Sequence, residues 1–387
     1  MTSIKQSKSR SEGEIRQRPN GSWQIVFALA PDTKGKRNRK YETVKGSKKE
    51  AQKVLRQRLQ ERDEGRSVNR SKETVQAYIE RWLIKYVAKH CTARTEFGYR
   101  TMLTRYIHPA IGNVQLQSLK MTDIQAMYDD MQSEPRNLSA STVTQLHNVF
   151  KQALNHAVMD GILQRNPAEY IKPPKKVRAK FEAWELETIL EFLELTADTR
   201  YGHFYKFAVL TGMRRSEICG LKWNDIKLSD GYLNVVRTLQ YIKGRGMIEQ
   251  PPKSFRSDRA VRLSPDVIDL LHSIKGKQML HQVAIGDHWQ GSDYVFTNVD
   301  GSPLNGDSVT QEFKRLVRKH NLPDMKLHGL RHAFASLALS ADVNPKIVSE
   351  TLGHSTTAIT LNIYSHILKP KEAEAVNSVA NLLSGSK

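Results

Sequence analysis

The sequence predicts an α+β protein of several domains: a small three-stranded β-sheet with one helix, then an all-α domain, then a mixed, mainly helical domain with a small antiparallel sheet. The chain has 387 residues, and one domain usually takes about 100–200 residues. Apolar residues alternate around turn-forming residues near the start and recur at helical spacing over most of the remainder. A basic, proline-containing segment, IKPPKKVRAKFEA (171–183), separates the second part from the third.

The first domain, residues 1–65, is predicted from a hairpin signal. EIRQRPNGSWQIVFALA (14–30) contains two strands around a Pro-Asn-Gly turn, KYETV (40–44) follows as a third strand, and a basic helix comes next. Residues 1–70 hold 19 Lys and Arg against 8 Asp and Glu, so more than half of the chain's net charge of +20 lies there. A solubilising arm would also be basic, but charge carried on strands favours a DNA-binding module.

The middle of the chain, residues 71–172, is predicted to be an all-α domain. SKETVQAYIERWLIKYV (71–87) begins with a Ser as N-cap and carries apolar residues at helical spacing. Further helices are predicted around 93–107, 121–132 and 139–160. Two prolines and five basic residues follow, so residues 173–181 are expected to form an exposed linker between domains that open and close around a ligand.

The remainder, residues 182–387, is predicted to be the mixed domain. EAWELETILEFLEL (182–195) is a helix, and GHFYKFAVLTGMRRSEICGLKWNDI (202–226) is a pair of helices around a Thr-Gly break. YLNVVRTLQ, GMIEQPPKS and RAVRLS are expected to be three short strands of one antiparallel sheet. Helices then cover most of 264–383.

The composition favours a nucleic-acid-binding protein. Lys and Arg number 60 against 40 Asp and Glu, and a basic protein of this kind gains affinity for polyanions by releasing counterions; an anionic membrane surface is the weaker alternative. No stretch approaches the ~18 apolar residues of a transmembrane helix, and the first residues lack the apolar core of a signal peptide. Cys91 and Cys219 are the only cysteines, which makes a disulfide framework unexpected and a reducing, cytoplasmic location the default.

One stretch, HGLRHAFASLAL (328–339), places a cation and two imidazoles in the first turn of an amphipathic helix: His328, Arg331 and His332. A helix N-terminus favours a bound anion, but a solvated helix start with one packed histidine explains the same residues. His328 and His332 could also be two metal ligands. No Glu lies between them and Arg331 would repel a cation, so no metal is expected.

Four boxes in order resemble the tyrosine recombinase (phage integrase) family. They are TGMRRSEICGLKW (211–223), PPKSFRSDRAVRL (251–263), LHGLRHAFAS (327–336) and LGHSTTAITLNIYSHI (352–367). Each box alone is a weak signal, whereas their fixed order, with Tyr364 ten residues after His354, is specific. The basic N-terminal module is similar to the arm-site-binding domains of integrases. The resemblance implies a helical core-DNA-binding domain followed by a catalytic domain.

The resemblance also implies six catalytic residues: Arg214, Lys253, His328, Arg331, His354 and Tyr364. Forked guanidiniums pair with two oxygens at once, which suits Arg214 and Arg331 to the nonbridging oxygens of the scissile phosphate. His354 would be a further donor. No Walker-type loop is present, and none is needed, because exchange of one phosphoester for another conserves the bond energy.

The remaining roles follow from the chemistry of the leaving and attacking groups. Tyr364 is the expected nucleophile, and since a phenol titrates near ~10, His328 is the candidate base that helps it ionise. Lys253 would protonate the departing 5′-oxygen, leaving a 3′-phosphotyrosyl link. Arg215 is expected to be only a neighbour of the site, and Glu217 to brace an arginine.

The expected function is therefore site-specific DNA recombination that integrates or excises a mobile genetic element, without a cofactor. Expected partners are core and arm attachment sites on double-stranded DNA, a homotetramer, and an excision factor or host DNA-bending protein. A non-catalytic DNA-binding regulator and a type IB topoisomerase are the alternatives. An apolar stripe in the tail is expected to dock on a neighbouring protomer or on its own subunit: Ala373, Val376, Val379, Ala380 and Leu383.

Overall fold

The computed structural model describes residues 13–28, 39–63, 71–175, 184–252, 258–354, 356–358, 360–361, 380 and 383. The chain divides into two compact units, Met1–Ala179 and Lys180–Lys387. It is rich in helix with small antiparallel sheets, as the sequence predicts. The finer boundaries at 1–65, 71–172, 173–181 and 182–387 stay a prediction. In these ranges no helix combines the length and the apolar character needed to cross a membrane.

The N-terminal module is a three-stranded antiparallel sheet covered by one helix. Its strands lie in the order β1–β2–β3, and α1 follows them: β1 Glu14–Gln17, β2 Trp23–Ala28, β3 Arg39–Val44 and α1 Lys48–Asp63. Alternate residues of β2, Ile25 and Phe27, pack against Ala51 and Leu55 of α1. The sheet therefore buries one face against the helix, whereas most side chains on its other, open face are exposed.

The helical region of the first unit is built from six α-helices with two π-helical turns and one 3₁₀ turn: α2 Val75–Trp82, π Leu83–Val87, α3 Ala88–His90, α4 Ala93–Met102, π Leu103–Ile107, α5 His108–Ile111, 3₁₀ Leu116–Ser118, α6 Met121–Gln132 and α7 Ala140–Met159. A continuous apolar core joins them. Buried Tyr78 in α2 donates its hydroxyl hydrogen to the Ala153 carbonyl in α7 at 3.0 Å.

The first helix of this region begins later than the sequence predicts. Thr74, rather than Ser71, is the N-cap of α2, and its side chain accepts from the Ala77 backbone N–H. The preceding residues are extended because the backbone N–H of Leu116 donates to the Glu73 carbonyl at 3.0 Å. A short β-type contact with a distant segment therefore overrides the local capping signal.

The second unit holds seven α-helices, two 3₁₀ turns and five short strands within its described ranges: α8 Leu186–Thr196, α9 Gly202–Thr211, α10 Arg215–Cys219, 3₁₀ Trp223–Asp225, β4 Ile226–Lys227, β5 Tyr232–Val235, β6 Thr238–Ile242, β7 Gly246–Gln250, β8 Arg259–Arg262, α11 Pro265–Ile285, 3₁₀ Gly286–His288, α12 Gly306–Lys319, α13 Gly329–Ser340 and α14 Pro345–Leu352. An aromatic-rich core lies under α8, α9 and α12.

The expectation of one sheet made from the three predicted strands is wrong. β5 pairs with β4 and β8, whereas β6 and β7 form a separate hairpin. YLNVVRTLQ is split because Arg237, between β5 and β6, turns onto the Asp225 carboxylate and the Gly220 carbonyl. The hairpin therefore leaves the sheet at this ion pair, a contact that strand periodicity does not encode.

Candidate active site

Arg331 lies inside the second unit, at the first turn of α13. Its side chain reaches the C-terminal ends of two other helices, and the residue is only 3% exposed. Nη1 donates to the Gly212 carbonyl at 2.7 Å and Nη2 donates to the Leu352 carbonyl. These carbonyls lie at the ends of α9 and α14, where helices leave acceptors without an intrahelical partner and carry partial negative charge. The two carbonyls thereby fix the direction of the guanidinium.

Two glycines of the sequence boxes make these helix ends possible. Gly212 and Gly353 cap α9 and α14 in the left-handed conformation, with φ of 62° and 64°. A Cβ at Gly212 would also meet the Phe334 ring at 2.6 Å. The Thr-Gly and Leu-Gly-His patterns therefore encode helix ends whose carbonyls receive the arginines.

Arg214 is the N-cap of α10, an extended residue from which the side chain leaves the helix start. Its Nη1 pairs with Glu217 Oε1 at 2.7 Å, and its Nη2 donates to the Gly353 carbonyl at 2.9 Å. The side chain keeps 33% exposure, so part of the guanidinium faces solvent. Arg214 and Arg331 thus meet at the adjacent carbonyls of Gly353 and Leu352, although they come from distant boxes.

Glu217 braces arginine from two sides. Besides Arg214, it pairs with Arg259 of β8, whose Nη2 lies 3.1 Å from Glu217 Oε2. Burial by itself would raise the pKa of Glu217, but the Arg259 and Arg214 guanidiniums outweigh it and hold that pKa below its usual value. The carboxylate is therefore ionised and gives the two arginines one shared anchor.

Arg259 is the residue of this network that the sequence reasoning missed. A signal was present, because strand residues two apart share a face and Val261 of β8 is buried. That alternation directs Arg259 inward as well.

Arg215, next to Arg214, points elsewhere. Its Nη1 donates to the Gly306 carbonyl at 2.9 Å, to Asp307 at 2.9 Å and to Thr310 at 2.7 Å, all at the start of α12. The side chains of the two neighbouring arginines are therefore directed to different elements.

Three histidines surround the arginine pair. His328 precedes α13 and keeps an exposed face, and its ring packs edge-on against His332 at 4.9 Å between centroids. Partial desolvation and the Arg331 and Arg214 guanidiniums lower the pKa of His328. Desolvation and neighbouring cations lower the pKa of His332 and of His354 to about 4. All three imidazoles are therefore neutral near pH 7, so each can accept one hydrogen bond and donate another.

His354 follows the α14 cap directly, and its Nδ1 lies 2.9 Å from the Thr360 hydroxyl oxygen. Thr360 is buried, so this contact fixes the imidazole ring. Lys253 and Tyr364 lie outside the described residues, and their assignments stay predictions. Among the residues described, no three His, Cys, Asp or Glu side chains are grouped so that they could hold a metal ion.

The arrangement is chemically an anion site. Four of the six predicted residues converge on the start of α13 and the end of α14: Arg214, His328, Arg331 and His354. Among the described residues of the site the guanidiniums outnumber the carboxylates, and the histidines add donors and acceptors without adding charge. Preorganised donors of this kind stabilise negative charge that grows on oxygen in a transition state.

Comparisons with known proteins agree on one family. The model of the phage integrase family matches residues 180–371. A tyrosine recombinase XerC-like protein of Caldanaerobacter subterraneus subsp. tengcongensis is 27% identical over 93% of this chain and 96% of its own length. The ICEBs1 integrase of Bacillus subtilis is 26% identical over 64% of this chain and 67% of its own length.

Solved structures share the fold. The Tn1549 transposon integrase in complex with transposon right-end DNA superposes with a TM-score of 0.65 at 20% identity, covering 78% of this chain and 99% of that one. A lambda integrase tetramer bound to a Holliday junction gives a TM-score of 0.58 at 17% identity, covering 92% of this chain and 96% of that one.

Proposed function

Since the chain belongs to the phage integrase family of tyrosine recombinases, we propose how its residues carry out the reaction of a site-specific DNA recombinase. The protein is an enzyme that cleaves and rejoins DNA strands and recombines a mobile genetic element. One observation supports the proposal for this chain: Arg214 and Arg331 donate to adjacent carbonyls, those of Gly353 and Leu352 respectively.

The scissile phosphate binds between the two guanidiniums. Each arginine has some N–H groups held by protein acceptors, which fixes the plane in which its remaining donors face the phosphate oxygens. The phosphate gains negative charge as Tyr364 attacks, so donors that are already oriented act mainly on the transition state. His354 supplies one more donor beside them.

Proton transfer is divided between two residues. Neutral His328 accepts the phenolic proton as the Tyr364 oxygen attacks phosphorus, and the bond from phosphorus to the 5′-oxygen breaks. Lys253 donates its proton to that 5′-oxygen, which leaves as a hydroxyl. The DNA is then joined to Tyr364 through a 3′-phosphotyrosyl ester, and attack by another 5′-hydroxyl reverses each step on a new strand.

The DNA contacts are divided among the other domains. On the open face of the N-terminal sheet, Arg16, Gln24 and Thr43 lie side by side across the three strands, and Tyr41 shares that face two residues along β3. These side chains suit binding to arm-site DNA. The helical region binds the core site. By analogy with the lambda integrase tetramer on a Holliday junction, the enzyme acts as a homotetramer on two duplexes in the cytoplasm, assisted by an excision factor or a DNA-bending protein.

The test uses a nicked suicide substrate that carries one core site, on which a covalent adduct accumulates because the cut strand is lost. Tyr364→Phe should bind this DNA with unchanged affinity and form no adduct on a denaturing gel. Tyr241→Phe is the matched control, since Tyr241 lies on β6 with 40% exposure; it should form adduct at the wild-type rate. Wild-type protein that binds DNA without any adduct would identify a regulator instead.

A further inference from the structure

We propose that Arg259 is a positioning residue of the recombination reaction, which keeps Glu217 from neutralising Arg214 and ties the end of α14 to β8. This inference rests on the proposed function. Arg259 lies outside the predicted catalytic set, and we propose no contact between Arg259 and DNA.

The contacts of Arg259 join three elements of the site. From β8, its Nη1 and Nη2 reach the two oxygens of Glu217 in α10 at 3.3 and 3.1 Å. Its Nε donates to the Thr351 carbonyl at 2.6 Å, in the last turn of α14. The side chain is 7% exposed. A buried fork with this many partners has little freedom, so it fixes the distance between the elements it joins.

The charge balance gives Arg259 a second effect. Glu217 is buried, and its Oε1 accepts from both the Arg214 and the Arg259 guanidinium. Its Oε2 accepts from the Arg259 guanidinium and from the Arg214 backbone N–H. Without Arg259, the carboxylate would have one cationic partner and would hold Arg214 more tightly. The charge that Arg214 presents to phosphate would then fall. Arg259 therefore acts through Glu217 on the charge and direction of Arg214.

The position of Arg259 in the chain links this network to the segment that contains Lys253. β8 begins at Arg259, shortly after that segment. On the other side of it, Glu249 of β7 pairs with Lys222 at 2.6 Å and accepts from the Tyr294 hydroxyl. Ion pairs thus fix the chain both before and after Lys253, and the second one belongs to the site that holds Arg214.

The experiment measures single-turnover adduct formation and core-site affinity for the full-length protein. Arg259→Gln should form adduct about tenfold to a hundredfold more slowly, the range typical of groups that orient an active-site ligand, while its affinity stays near that of wild type. Arg262→Gln, on the same strand but exposed, removes an equal charge and should react at the wild-type rate. Arg259→Lys, which keeps the charge, should recover part of the loss.

A double variant tests the route through Glu217. If Arg259 acts on Arg214 by way of this carboxylate, Glu217→Gln combined with Arg259→Gln should be slowed by less than the product of the two single effects. Single effects that multiply would overturn the proposal, as would Arg259→Gln at the wild-type rate, a Lys variant no faster than the Gln variant, or loss of binding together with cleavage. Absence of adduct with the wild-type protein would instead contradict the proposed function.

Discussion

The N-terminal sheet and the reaction centre hold positive charge in opposite ways. On the sheet, the Arg16 side chain is 58% exposed and pairs with Glu14 on the same strand. In the centre, Arg331 is 3% exposed and is held by carbonyls of two helix ends. Exposed charge suffices to attract a polyanion because counterion release depends on charge number. Catalytic charge needs a fixed direction, which requires burial and partners that offset the cost of desolvation.

The largest effect is expected from the most buried of these charges. Arg331→Ala should slow adduct formation by at least 10²–10³-fold, about the cost of removing one preorganised donor, while core-site affinity changes little. Single-turnover cleavage and gel-shift titration measure the two quantities. If this variant lost DNA affinity and cleavage rate in equal proportion, Arg331 would act in DNA binding, as the exposed charges of the sheet do, and not specifically in catalysis.

Two adjacent arginines give the sharpest internal comparison. Arg214→Lys keeps the charge but loses the fork, so cleavage should fall by about one to two orders of magnitude, less than the roughly 10²–10³-fold cost of removing a donor altogether. Arg215→Lys loses contacts with α12 and should lower the free energy of unfolding by about 1 kcal/mol without slowing cleavage. Cleavage that responds equally to both substitutions would contradict the distinct roles of these neighbours.

Acidification should destabilise the reaction centre. The pKa of His332 and of His354 is about 4 in the folded protein, against an ordinary 6.5. As pH falls below 6.5 the unfolded chain binds protons first. The contribution of these histidines to stability is therefore complete above that value and declines between about 6.5 and 4, by about 3 kcal/mol per histidine at most. Chemical denaturation of the DNA-free protein at several pH values measures this loss. His354→Gln should reduce it, and an unchanged pH dependence would contradict the assigned protonation.

The smallest effect on cleavage is expected from the N-terminal module. Removal of residues 1–65 should leave the rate of core-site cleavage unchanged and abolish binding to a second, separate DNA sequence. Replacement of Arg16, Tyr41 and Thr43 by Ala is the finer variant, since it alters the open face and leaves the sheet core in place. Identical DNA footprints for the truncated and the full-length protein would indicate that the module is only a solubilising arm.

The same contrast explains what the sequence could and could not predict. Periodicity and turn residues located the N-terminal hairpin and most helices, because those signals are local. The Arg214 and Arg331 boxes were found by their pattern, whereas their carbonyl partners depend on how α9 and α14 end in space. Arg259 was missed, and one sheet was predicted where β5 and β6 separate at the Arg237–Asp225 pair. The contacts of Arg259 and the separation of β5 from β6 both depend on ion pairs between residues that are far apart in the sequence.

The most direct measurement identifies the residue and the phosphate joined in the covalent adduct. Wild-type protein is trapped on the nicked core substrate, digested with a protease, and the DNA-linked peptide is sequenced by mass spectrometry. We expect one peptide, from LGHSTTAITLNIYSHI (352–367), joined at Tyr364 to a 3′-phosphate with a free 5′-hydroxyl on the other fragment. A link through any other residue, or to a 5′-phosphate, would contradict the assignment of this reaction centre.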